Sequence, residues 1–287
     1  MQLTLKTLYR SDLLSIRHAV ARPSASCELF YGAADILLLP VSGLFAKHDA
    51  PKEHYIANSN HALFFRTGQP YRISFPGDIG DESLLLEFAR PALATLLNDV
   101  AGVQDWCSSS LHPHCLLAPR SMLNREALWL RLQSHASALE IEERSVALLA
   151  AALGAAHKDN RQQRRARHTV TMARRRRQVE TVKELLTLDP AQAWTLESLA
   201  SHAHTTPYHL TRIFTEEVGI PLHRYLIRTR LGKAIEAMRN GAASLTEIAY
   251  QSGFSSHSHF TSSFSTAFGT TPSASRLGWR AGVVGCR

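Results

Sequence analysis

Between Leu196 and Gly269 the chain repeats itself, and that repeat limits its fold more than any other feature. Leu196, Leu199 and Ala200 return as Leu245, Ile248 and Ala249, 49 residues on. Leu210, Thr211, Phe214, Val218 and Gly219 return as Phe260, Thr261, Phe264, Phe268 and Gly269, 50 residues on. The second copy therefore holds one extra residue in its turn. Each copy opens with a helix-capping residue, Thr195 in the first and the Ser244/Glu247 capping box in the second. A short amphipathic helix follows, then a tight turn with Gly253 in the second copy, then a helix with apolar residues at four-residue spacing. Gly219 and Gly269 stand where a helix C-terminus places glycine. The outline is a helix-turn-helix, made twice.

Core packing alone accounts for the apolar positions but not for what lies between them. The outward residues of the second helices are Thr206, Tyr208, His209, Thr211 and Arg212 in one copy. In the other they are Ser255, Ser256, His257, Ser258, His259, Thr261 and Ser262. No Asp or Glu occurs from Thr206 to Thr215 or from Gln251 to Gly269. A solvated helix face normally carries Glu and Lys. A face that enters the DNA major groove needs short donors and acceptors and must avoid carboxylates near phosphate.

Between the copies, Leu222–Met238 reads as one helix, with Tyr225, Leu226, Ala234, Ile235 and Met238 buried and Arg224, Arg228, Arg230 and Lys233 exposed. Its 17 residues span roughly 25 Å at about 1.5 Å each. With the width of the flanking helices, that length can hold two reading helices about 34 Å apart, one turn of B-DNA. Charge agrees. Residues 161–287 carry 18 basic and 8 acidic residues, whereas residues 1–160 carry 14 and 16. A near-neutral half joined to a strongly basic half points to a polyanionic partner.

The first hundred residues read as β-rich. Cys27–Tyr31, Ile36–Leu39, Ala62–Arg66 and Leu84–Phe88 are short apolar runs, with turn formers at Pro40, Gly43, Pro51, Gly68–Pro70, Pro76–Asp78 and Gly80–Asp81. Met122–Ala136 and Ala138–Ala156 then read as helices, the second burying Val146, Leu149, Ala150, Leu153 and Ala156. They cover the sheet or form a dimer contact. Residues 157–177, with Arg161, Arg164, Arg165, Arg167 and Arg174–Arg177, read as a basic connector. The fold class is α+β. A β-rich domain with flanking helices (1–156) and a basic linker (157–177) precede an all-α domain of two helix-turn-helix units joined by a long helix (178–280).

The basic half resembles the AraC/XylS family of bacterial transcription regulators. The matching text includes Trp194-Thr195-Leu196-Glu197-Ser198-Leu199-Ala200, Tyr208-His209-Leu210-Thr211-Arg212-Ile213-Phe214, Tyr225-Leu226-Ile227-Arg228-Thr229-Arg230-Leu231, Gly253–Phe260 and Phe268-Gly269-Thr270-Thr271-Pro272. The resemblance implies DNA base contacts at Pro207, Tyr208, Thr211 and Arg212 in the first unit, and at His257, Ser258, Thr261 and Ser262 in the second. It also implies a transcription activator, RNA polymerase as a partner, and a cupin-like N-terminal domain that dimerises or binds a small-molecule effector. Two positions depart from the family pattern: Ser262 stands where Arg is common, and Ser275 where Tyr is common. Losing that Arg predicts weaker binding by the second unit.

Other chemistry finds little support. His112-Pro113-His114-Cys115 with Cys107 is the tightest group of potential ligands, while His48, His54 and His61 lack the HxH-plus-Glu pattern of metal cupins. No Gly-x-Ser-x-Gly elbow or phosphate-binding loop is present. The sequence predicts a non-enzyme without cofactor or metal. Four scattered cysteines and no long apolar run predict a cytoplasmic protein without a membrane partner. The rival reading is a β-domain small-molecule binder or enzyme, with a basic half that anchors it non-specifically to nucleic acid. Salt distinguishes the two, because non-specific binding is lost at moderate ionic strength.

Overall fold

The structure, a computed structural model, describes residues 2–23, 29–50, 53–101, 112–134, 136–163, 170–241 and 243–280. The chain divides into two compact units, Met1–Ala173 and Arg174–Arg287.

Among the described residues, the first unit is a nine-stranded antiparallel assembly with three α-helices up to Gln163 and one 3-10 turn at Pro76–Asp78. Strands β1 (Gln2–Arg10), β2 (Leu14–Arg22), β8 (Asp81–Phe88), β4 (Ile36–Ala50), β6 (His61–Phe65) and β9 (His114–Leu116) lie in that order. β4 also pairs with β5 (Glu53–Asn58) and β7 (Pro70–Ser74), and β7 pairs with the two-residue β3 (Phe30–Tyr31). β4 is the hinge of the fold. Its first half pairs with β8 and β6, and its second half with β5 and β7.

Pro40 and Gly43 are therefore not strand ends, as their residue types suggest, but the bend itself. The β4–β8 register slips between Pro40 and Ser42, where a residue without an N–H is tolerated. Gly43 sits at φ +74°, and a Cβ there would lie 2.2 Å from the Gly80 carbonyl oxygen. Leu38, Phe45, Tyr55, Ala57, Leu63 and Phe65 form a buried cluster with Tyr71, Ile73 and Phe75 packed on it. Lys47 is buried against this cluster, 5.1–5.6 Å from the Tyr55, Phe65 and Tyr71 ring centres and paired with Asp49. Leu37 and Leu39 point the opposite way and are also buried. With both faces covered, the strand reads as a continuous apolar run.

The helices are α1 (Arg90–Ala101), α2 (Pro119–Leu132) and α3 (Ala138–Gln163). α2 packs on β4 and α3 on β9. Fully buried Arg125 on α2 donates to the carbonyls of Pro40 and Ser59 and pairs with Glu126 at 2.9 Å, tying helix to sheet. The buried face of α3 runs through Ile141, Ser145, Leu148, Leu149, Ala152, Leu153 and Ala156. It is rotated from the expected stripe, leaving Val146 and Ala150 only half-buried.

Several readings change. The sequence reading gives no strand before Cys27, and the structure adds the hairpin β1–β2, along which Leu3, Leu5, Ile16 and Val20 alternate with other residues. The strand expected over Cys27–Tyr31 is described only as Phe30–Tyr31, with Cys27 outside the described residues. So are Pro51, Cys107, Arg164, Arg165 and Arg167. Most of the stretch read as a connector is helical where described, since α3 continues to Gln163 and α4 spans Val170–Leu188.

The second unit contains α4 from Arg174 onward, α5 (Leu196–His202), α6 (Pro207–Val218), α7 (Leu222–Asn240), α8 (Leu245–Gln251), α9 (His257–Phe268) and α10 (Pro272–Arg280). No described helix in either unit is long and apolar enough to cross a membrane.

Candidate nucleic-acid interface

The two copies match down to individual hydrogen bonds. Thr195 Oγ1 accepts from the Ser198 amide at 3.1 Å, and Ser244 Oγ from the Glu247 amide at 3.2 Å, with Glu247 returning to the Ser244 amide at 2.7 Å. At the turn, the Thr205 and Phe254 amides donate to Ala200 and Ala249 carbonyls at 3.0 and 2.9 Å. The left-handed turn residue is His204 (φ +49°) in the first copy and Gly253 (φ +89°) in the second. That equivalence is invisible in the sequence, because one copy uses a residue that rarely adopts this conformation.

Thr206 and Ser256 cap α6 and α9 by accepting from the His209 and His259 amides. They are caps, not free readers. Gly219 (φ +78°) and Gly269 (φ +72°) end the same helices. The turn between helices holds four residues in the first copy and five in the second, the inserted residue that the offsets require.

Inside, Leu199, Leu210, Ile213 and Phe214 are buried, as are Ile248, Phe260, Phe264 and Phe268. Phe260, Phe264 and Phe268 pack in a row, edge-on and tilted, with 5.8 and 4.5 Å between centres. These contacts orient the outward faces. Tyr208 is 82% exposed. Thr211 and Arg212 are exposed, and Pro207, at the first turn of α6, is half-buried. In the second copy His257, Ser258 and Ser262 are exposed. Thr261 is half-buried, and its hydroxyl is enclosed without a hydrogen-bond partner. Thr211 turns its hydroxyl back to the Pro207 carbonyl at 2.9 Å. The two threonines thus present mainly their methyl groups.

Sequence reasoning missed what α4 does here. Arg175 and Arg176 lie 3.7 and 3.6 Å from Glu216 and Glu217, the acidic residues that end the carboxylate-free stretch of α6. Arg212 also approaches Glu216, at 3.9 Å. Burial pushes the Glu217 carboxyl up, against the pull of Arg176. Half the basic cluster Arg174–Arg177 therefore screens acid at the end of α6, while Arg174 and Arg177 remain exposed. α7 buries Tyr225, Leu226, Ala234, Ile235 and Met238 as expected. Arg228 and Arg230 are not exposed, however. Both are half-buried, and burial lowers the pKa of each guanidinium.

Among the described residues, Cys115, His112 and His114 do not form a ligand group. The Cys115 thiol is buried and donates to the Ala152 carbonyl, and Cys107 lies outside the described residues. His112 and His114 stand ring to ring at 4.5 Å, with His114 stacked on Tyr55 at 4.1 Å. His48 contacts Ser74 and His61 contacts Asn58. Among the described residues no three His, Cys, Asp or Glu gather as a metal group.

The second unit is a double helix-turn-helix module. Residues 199–277 match the family model described as a helix-turn-helix domain. Over 69 residues the chain is 41% identical to the HTH-type transcriptional activator RhaS of Escherichia coli, covering 24% of this chain and 25% of RhaS. Over 98 residues it is 30% identical to the urease operon transcriptional activator of Escherichia coli, covering 34% and 33%. The chain thus spans about a quarter to a third of the length of these curated relatives. ToxT from Vibrio cholerae, a solved structure, aligns over 94% of this chain and 99% of its own, at 15% identity and a TM-score of 0.36. The helix-turn-helix segment belongs to the AraC/XylS family, as the sequence resemblance implies.

Proposed function

We propose that this chain is a sequence-specific DNA-binding regulator of transcription. It places α6 and α9 in successive major-groove segments on one face of the duplex. One observation carries the reading: two helix-turn-helix copies share caps, turn hydrogen bonds and left-handed turn positions, and neither carries a carboxylate from Thr206 to Thr215 or from Gln251 to Gly269. Base contacts fall on Pro207, Tyr208, Thr211 and Arg212, and on His257, Ser258, Thr261 and Ser262. Thr211 and Thr261 offer methyl groups suited to apolar contact with thymine. Arg174 and Arg177 add phosphate contacts beside α6.

By analogy with the activators that the segment resembles, the chain activates transcription and meets RNA polymerase in the cytoplasm. Residues 1–156 are the sensing or dimerising domain, 157–177 the connection and 178–280 the reader. A small-molecule effector acts by binding one of two arrangements of the chain more tightly than the other. Selection of duplexes from a random pool at about 0.15 M salt tests the reading. Enrichment of one sequence with two specified segments supports it. Recovery of unrelated sequences with equal affinity overturns it in favour of the non-specific anchor.

A further inference from the structure

α7 fixes the distance between the two helix-turn-helix units, but a single helix bounded by Pro221 and Gly241 does not by itself fix their rotation. The structure holds a second, lateral tie. The loop from Asp189 to Trp194, which leads into α5, is compact: the Trp194 indole donates to the Asp189 carbonyl at 2.8 Å and the Gln192 amide to the Asp189 carboxylate at 3.1 Å. Two of its carbonyls, those of Pro190 and Gln192, accept from α7. Arg230 donates from Nε to the Pro190 carbonyl at 2.7 Å and from Nη2 to the Gln192 carbonyl at 3.3 Å.

The second helix-turn-helix rests on the same spot. A Cβ on Gly253, in the α8–α9 turn, would lie 2.6 Å from Ala191 Cα, 2.7 Å from the Pro190 oxygen and 2.9 Å from Arg230 Nε. Only a glycine lets that turn come so close at φ +89°. The entry loop of the first helix-turn-helix, the connecting helix and the turn of the second helix-turn-helix therefore meet at one point. Arg276 of α10 fastens the C-terminal end of α7, donating to the carbonyls of Gly241 and Ala243 at 2.7 Å each.

We propose that Arg230 is a positioning residue, locking the two units into one register so that the spacing between the two DNA segments is itself read. The proposal rests on the DNA-reading function argued above. One added base pair turns the second segment by about 35° and moves it about 3.4 Å, which a rigid pair of readers cannot follow.

The test measures full-length protein on duplexes carrying both segments at their selected spacing, with one base pair added or removed, and on a duplex with one segment. The wild type is expected to lose about 10-fold or more on the altered spacings, and Arg230→Met less than about 3-fold, with one-segment affinity unchanged. Equal spacing penalties in the two proteins overturn the proposal. A second measurement needs neither DNA nor the variant. Spin labels at exposed Thr215 and Thr266, in a cysteine-free background, should give one narrow distance distribution in the free wild-type chain. A broad distribution overturns the lock. A narrow distribution without sequence-specific binding instead sinks the DNA-reading function and leaves the junction standing.

Discussion

Asp81 is 6% exposed at the start of β8, between Ala21 of β2 and Gly43 of β4. Burial raises its pKa to about 6, with the Ser83 hydroxyl bond at 2.6 Å and nearby Arg22 pulling it down and Glu82 pushing it up. The sign follows from an acid whose folded pKa exceeds its unfolded value of 3.8. The folded state then prefers the protonated form, so the contribution of this group to stability is greatest below about pH 4. It falls as pH rises towards about 6 and is level above that. Two pKa units correspond to about 3 kcal/mol, an upper bound for the cost of ionised Asp81 at pH 7. Asp81→Asn keeps the acceptor for Ser83 and never ionises. It should stabilise the first unit at pH 7 by up to about 3 kcal/mol and change little at pH 4. Urea titration read by hydrogen exchange in β4 and β8 peptides scores this unit separately from the second. The same fall in stability between pH 4 and 6 in wild type and Asp81→Asn would refute the assignment.

Other substitutions probe the reader. Arg212→Ala should cost about 1–3 kcal/mol on the selected site and relax specificity at one base pair, and equal binding by fluorescence anisotropy would sink that role. Ser262→Arg restores the long donor common in the family. It should tighten binding and steepen the salt dependence by about one unit of log–log slope, whereas an unchanged slope removes the expected phosphate contact. His204→Gly relieves a left-handed conformation and should stabilise the second unit by about 0.5–1 kcal/mol in thermal unfolding. A loss of stability would mean that the His204 side chain makes contacts worth more than that strain.

The second unit was legible because its boundaries are written locally. Thr195 and Ser244 cap the first helix of each copy, Gly219 and Gly269 end the second, and the apolar period fixes the buried side; Thr206 and Ser256 look like outward residues in the sequence and are caps in the structure. What stayed hidden there depends on partners distant in sequence. Arg175 and Arg176 meet Glu216 and Glu217 some forty residues later, and Arg230 meets Pro190 forty residues earlier. Composition marked the first two as connector and the third as solvated. The first unit hides more for the same reason. β2 pairs with β8 across the whole sheet domain, and Pro40 and Gly43 look like strand ends until the bulge puts them in mid-strand. Nothing near Arg125 in sequence announces that it reaches the Pro40 carbonyl.

The most direct test of the central claim is a footprint of full-length protein on its selected duplex at about physiological salt. Two protected major-groove segments about 10 base pairs apart, on one face of the DNA, are the predicted result. Diffuse protection that vanishes as salt rises, with no segment favoured, would contradict it.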